Sequence, residues 1–334
     1  MLLVERPVAS SVEELLAGAT DRRPMVTADS KSGARFERVM IDGRPHVVKY
    51  LHVDDDWIMR STGDLGCRPL TVWRCGLLDR VPDCIDHAVV GAAEGLGRNG
   101  WGVALLMRDV STWLVPEGDQ PVPLDQHGRF LAHMAALHAA FWDWTDTAGL
   151  APPMHRYLEF SPVGIALEER RGWPDAVPPL IMRGWEEFRT AAGAVSGPVM
   201  DLLHDPSPLV DALAQLPQTL VHGDWKMGNL GTGPDGRTLL LDWAVPGQAC
   251  PTVELAWYLA LNAARLPHAK HEAIDVYRAG LEDLGIATGP WWDRAVELAL
   301  LGAVVWFGWE KALGGPGAEL SWWLDHAAQG LRCL

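Results

Sequence analysis

From residue 24 onward the chain alternates apolar and polar residues with the two-residue period of half-buried strands. Residues 25–27 and 36–41 read as strands separated by the small-residue turn 29–33. Asp42-Gly43 is a strong hairpin signal, and 46–51 is the returning strand. Ahead of them, Ser10-Ser11 before Val-Glu-Glu-Leu-Leu predicts a short capped helix. Behind them, Asp54-Asp55-Asp56 caps a helical stretch, 70–78 reads as more helix, and 88–92 and 103–107 are apolar runs of strand length. The segment 116–123, with three prolines, is a linker. Beyond it the period changes to three and four. Helices are expected over 128–144, in Pro-broken pieces through 150–218, and over 253–264, 271–284, 291–309 and 320–331. The order predicts an α+β protein of two lobes: 1–110, a linker at 111–123, and a larger helical part over 124–334.

One strand-like passage interrupts the helical part. Residues 219–243 read as a strand, a polar loop and a second strand ending in a carboxylate. The loop carries His222-Gly223-Asp224 and, five residues later, Asn229; the second run delivers Asp242. If the two strands form one hairpin, Asp224, Asn229 and Asp242 converge at one end. A carboxylate that orients a hydroxyl and takes its proton, beside an amide and a carboxylate that hold Mg²⁺, is what phosphoryl transfer requires. Asp, Asn and Gly are also ordinary turn residues, so the placement after an apolar strand carries the inference.

Composition narrows the field without changing this picture. The 334 residues are 48% hydrophobic and 21% charged, as in globular enzymes. A formal net charge of −15 disfavours nucleic acid as a partner. The five cysteines are scattered, without Cys-x-x-Cys, so reduced thiols and a cytoplasmic location are expected. No secretory signal is seen, and the longest apolar run, 298–309, is too short for a membrane span.

The residues His222-Gly223-Asp224, Asn229 and Leu-Leu-Leu-Asp242-Trp243 resemble the aminoglycoside phosphotransferase/choline kinase-like family, relatives of the protein kinases. The resemblance runs in order through most of the chain. Lys49 matches the family's third-strand lysine, residues 106–110 its hinge, 134–142 its first C-lobe helix, and Pro251-Thr252-Val253-Glu254-Leu255-Ala256 the segment after the metal-binding Asp. It implies a bilobal protein-kinase-like fold and transfer of the γ-phosphoryl of ATP or GTP, with Mg²⁺, to a hydroxyl of a small molecule. By this carry-over Asp224 is the catalytic base, Asn229 and Asp242 are metal ligands, and Lys49 holds the α- and β-phosphates. Met107, Asp109 and Val110 meet the nucleotide base. Ser30, Ser32 and Gly33 form the candidate phosphate loop, although an ordinary hairpin turn explains them as well.

The match departs from the kinase pattern at one point. No glutamate follows in 57–69 to pair with Lys49; Asp55, Asp56 and Asp64 are the acids near enough in sequence. His222, ahead of the catalytic loop, is expected as a structural hydrogen bonder. Seventeen tryptophans mark the chain, and Trp225 and Trp243, next to the carboxylates, are expected to wall the acceptor pocket through stacking or cation–π contacts. Two other readings fit the same residues: a nucleotide-binding pseudokinase without useful turnover, and a protein that sequesters small molecules in its Trp-rich C-terminal part.

Overall fold

The computed structural model describes residues 5–25, 33–95, 102–172 and 177–334. In chain order its regular elements begin with α1 (Val12–Leu15), β1 (Thr20–Met25), β2 (Arg35–Ile41), β3 (Arg44–Leu51), α2 (Trp57–Ser61) and α3 (Arg68–Arg74). Three strands follow, β4 (Ile85–Asp86), β5 (Val89–Glu94) and β6 (Val103–Arg108). Then come α4 (Leu124–Ala140), α5 (Pro153–Leu158), α6 (Pro162–Arg171), α7 (Val177–Ala191), α8 (Ser196–Leu202) and α9 (Ser207–Ala214). The short strands β7 (Thr219–Val221), β8 (Leu230–Thr232), β9 (Thr238–Leu240) and β10 (Gly247–Ala249) precede α10 (Pro251–Leu261), α11 (Lys270–Asp283), α12 (Trp292–Leu313) and α13 (Ala318–Gly330).

Contacts divide the chain into two compact units, one of Met1–Gly118, Thr147–Leu150 and Met227–Pro246, the other of Asp119–Asp146, Ala151–Lys226 and Gly247–Leu334. The first unit carries an antiparallel five-stranded sheet in the order β1-β2-β3-β6-β5. The β2–β3 turn is Asp42-Gly43, both with positive φ (49° and 70°), as a two-residue hairpin requires. Alternation buries Val39 and Val48 at 0% exposure against Val12, Leu16, Ala93, Ala104 and Leu106. Ser11 caps α1 and Asp56 caps α2 through their side chains, as the sequence predicts. Asp55 and Asp54 belong to the loop before α2, not to a helix.

The pairing of the central passage corrects the sequence reading. β7 does not pair with β9; it pairs antiparallel with β10 inside the second unit. β9 lies between β8, antiparallel, and β4, parallel, in the first unit. The expected single hairpin is therefore two pairings in two units. Close backbone approach fixes β8: a Cβ on Gly231 would stand 2.4 Å from the carbonyl oxygen of Trp113, and Leu114 forms an isolated bridge with Gly231.

The second unit is helical. The aliphatic and aromatic side of α12 is buried along most of its length, with Leu298, Leu301 and Val305 at 0% exposure, and it packs on α7, α10 and α13. The helix expected over 128–144 starts earlier and stops at Ala140, leaving Trp142 and Trp144 beyond it. Among the described residues no helix is long and apolar enough to cross a membrane.

Candidate active site

In the first unit β3 delivers Lys49. Its side chain is 8% exposed, and Nζ lies 2.6 Å from Oδ1 of Asp242. A lysine buried to this degree requires a counter-charge. Two of the acids considered from sequence have other partners. Asp56 accepts from the backbone N–H of Met59, and both oxygens of Asp64 accept from the N–H of Arg68. Burial pushes the Asp64 carboxyl above its ordinary range, against the charge of Arg68. The partner of Lys49 is thus the carboxylate at the end of β9.

Asp242 has φ +63°, a left-handed conformation that costs a non-glycine residue roughly 1 kcal/mol. Such strain persists where the surroundings demand it. Here the N–H of Leu241 donates to the carbonyl of Asn229 at 2.9 Å, one step beyond the Leu230–Leu240 pair, so Asn229 and Asp242 occupy the same end of the β8–β9 hairpin. Asn229 is 7% exposed. A carboxylate and an amide are hard oxygen donors. Together with nucleotide phosphates and water they fit Mg²⁺, which takes one or two protein oxygens and keeps the rest of its shell. Among the described residues no group of three His, Cys, Asp or Glu could hold a metal.

The other expected nucleotide contacts are less uniform. Ser30 and Ser32 lie outside the described residues. Gly33 is described: a Cβ there would fall 1.5 Å from the carbonyl oxygen of Asp55, so the position admits only glycine. Met107, the next-to-last residue of β6, packs against the apolar cluster of Ala88, Val110 and Leu239. Val110 is part of that cluster at 4% exposure, and the Asp109 carboxylate is engaged by Arg38 (2.9 Å) and Ser111 (2.7 Å). Both side chains are committed within the protein.

The second unit presents Asp224, whose side chain is 14% exposed. Trp257 Nε1 donates to its Oδ1 at 3.1 Å, and Lys226 Nζ pairs with its Oδ2 at 2.8 Å. The loop that carries it is anchored from below. Buried Glu254, on α10, accepts the N–H of Gly223 at 2.6 Å on Oε1 and that of His222 at 3.0 Å on Oε2. His138 Nε2 donates to Oε2 as well (2.9 Å), and its Nδ1 meets the Tyr277 hydroxyl at 2.5 Å. Burial opposes the charge of Glu254, but the bonds from His138 and His222 outweigh it and hold the carboxyl below its ordinary value. His222, fully buried, accepts the Asp224 N–H on Nδ1 at 3.2 Å.

Two expectations are revised. Trp225 is 0% exposed and packs edge-on to His222; Trp243 is 4% exposed, its indole bonded to the Leu240 carbonyl. Neither indole has a face free to stack on an acceptor, so they are core rather than pocket wall. The indole that reaches the carboxylate is Trp257. It and Glu254 lie 33 and 30 positions beyond Asp224 in the chain, and only the acid in Pro251-Thr252-Val253-Glu254 hinted at them.

A strand-borne lysine paired with a carboxylate on a following hairpin, together with a second unit of helices, defines a protein-kinase-like α+β fold. Solved structures agree. The choline kinase LicA from Streptococcus pneumoniae matches at 14% identity and TM-score 0.52, over 97% of this chain and 98% of that one. LicA in complex with AMP matches at 12% and 0.51, over 96% and 94%. A microcompartment-associated aminopropanol kinase matches at 14% and 0.49, over 94% and 90%. No family model and no curated protein matches the sequence.

Proposed function

We propose that the chain transfers the γ-phosphoryl group of ATP, or GTP, to a hydroxyl of a small molecule of the sugar, amino sugar, aminoglycoside or amino-alcohol class. The observation that carries this is the pairing of buried Lys49 with Asp242, at the hairpin end that also holds Asn229. Lys49 holds the α- and β-phosphates. Asn229 and Asp242 hold Mg²⁺, which supplies charge neutralisation for the phosphates when bound. Asp224 orients the acceptor hydroxyl and takes its proton; Trp257 and Lys226 fix the carboxylate in place. The likeness of fold to a choline kinase and to an AMP complex supports a nucleotide-dependent phosphotransferase. Five free cysteines suit a reducing, cytoplasmic setting.

The test is ADP release from Mg-ATP across a panel of hydroxyl compounds, with Asp224→Asn as the control. The variant keeps nucleotide affinity and loses roughly 10²- to 10⁴-fold in kcat, the range for a positioned proton acceptor. Equal rates for the two proteins reject the assignment.

A further inference from the structure

Arg156, on α5, is 7% exposed, and a buried guanidinium needs its donors and its charge met. Its Nη1 meets the carboxylate of Glu159, itself 3% exposed. Its Nη2 donates at 2.7 Å to the carbonyl of Gly223, the residue immediately before Asp224. The guanidinium carbon stands 4.5 Å from the ring centroid of Trp257 and 5.7 Å from that of Trp306. Trp306 closes the arrangement, its Nε1 donating to the Arg156 carbonyl at 2.6 Å. Trp257 is the residue whose Nε1 holds Asp224. One guanidinium therefore touches both the backbone that leads into Asp224 and the indole that grips its carboxylate.

We propose that Arg156 is a positioning residue for Asp224, setting the place of the carboxylate through the Gly223 carbonyl and the Trp257 ring. This rests on the reading of Asp224 as the group that takes the proton. The contacts explain why the position is arginine. A planar guanidinium stacks on an indole while its edge still donates to a carbonyl and a carboxylate; an ammonium cannot stack and donate in that geometry. They also explain the aromatic density here. Trp257 and Trp306 meet edge to face at 5.0 Å, and Phe307 packs on Trp257 at 4.8 Å, so the ring under Arg156 has little freedom to move.

The experiment uses the full chain and the variants Arg156→Lys, Trp257→Phe and their combination. Trp257→Phe keeps an aromatic ring and removes the donor to Asp224. ADP release from Mg-ATP is followed together with the ¹⁵N-indole spectrum, in which Trp257→Phe assigns the Trp257 resonance. Arg156→Lys is expected to fold, to lower kcat about tenfold or more, to leave the ATP KM within about twofold, and to move the Trp257 indole resonance. The double variant should lose less than the product of the two single losses, because both changes act on one carboxylate. Wild-type kcat in Arg156→Lys, an unmoved indole resonance, or multiplicative losses would overturn the proposal. If the wild-type protein and Asp224→Asn release ADP equally, it is the proton-acceptor reading that fails, and the indole resonance still decides whether Arg156 sets Trp257.

Discussion

Lys49 and Asp242 share one ion pair unequally, since the lysine side chain is 8% exposed and the aspartate 33%. Removing the carboxylate leaves the lysine charged in a dry position, a larger penalty than leaving the aspartate at its more exposed one. Asp242→Asn should therefore destabilise the fold more than Lys49→Met, by a margin of roughly 1–3 kcal/mol. The reverse order in calorimetry would mean that the pair is not what balances Lys49. A second residue-scale consequence concerns acid. His127 is fully buried, hydrogen-bonded to the Tyr258 hydroxyl at 2.7 Å and edge-on to His268; burial, with the nearby His268, lowers its pKa to about 4. The unfolded chain takes up this proton below its ordinary value near 6.5 and the folded chain does not. Stability is complete above that value and falls as pH drops toward 4, by about 3 kcal/mol over the window. His127→Phe should flatten the dependence of melting temperature on pH in that range. An unchanged slope would assign the acid loss elsewhere. At this scale the sequence was informative where chemistry and spacing coincide: Lys49, Asp224, Asn229 and Asp242 stand on short local patterns. Trp257, Glu254 and Arg156 act across 30 or more positions, and nothing local in the chain marks an indole or a guanidinium for such a contact.

The element that decides whether the proposed metal donors stand together is the β8–β9 hairpin, and its tightest point is Gly231 under the Trp113 carbonyl. Gly231→Ala forces the hairpin and the segment at residues 113–114 apart by more than a flexible side chain can absorb. We expect a loss of about 1–3 kcal/mol, as for other overpacked sites, and a raised Mg-ATP KM, measured by denaturant unfolding and initial rates. Normal stability and KM would show that the hairpin has slack. Strand existence was readable from apolar runs, and the Asp42-Gly43 turn from its residues. Strand partners in the central passage were not. β7, β8, β9 and β10 are three residues each, and β10 reads Gly-Gln-Ala, with no alternation to declare it a strand at all.

For the molecule as a whole, the proposed Mg²⁺ site offers two protein oxygens, and such a site binds weakly without phosphates to complete the shell. Mg²⁺ alone should leave the melting temperature nearly unchanged, whereas Mg-ATP at 100 times its Kd should add about 2.7 kcal/mol, and Asn229→Ala should remove most of that gain. A stabilisation by Mg²⁺ alone equal to that by Mg-ATP would contradict the phosphate-completed site. The fold class was legible because period two gives way to period three-and-four at a proline-rich segment. The membership of Met227–Pro246 in the sheet-bearing unit was not, since it depends on β4 pairing with β9 across more than 150 residues. That membership has a consequence for how the protein breathes. The Leu241 amide, bonded to Asn229, and the Gly223 amide, bonded to Glu254, belong to different units although 18 positions separate them. Their deuterium uptake should report two distinct opening reactions, and Gly231→Ala should accelerate exchange at Leu241 while leaving Gly223 at its original rate.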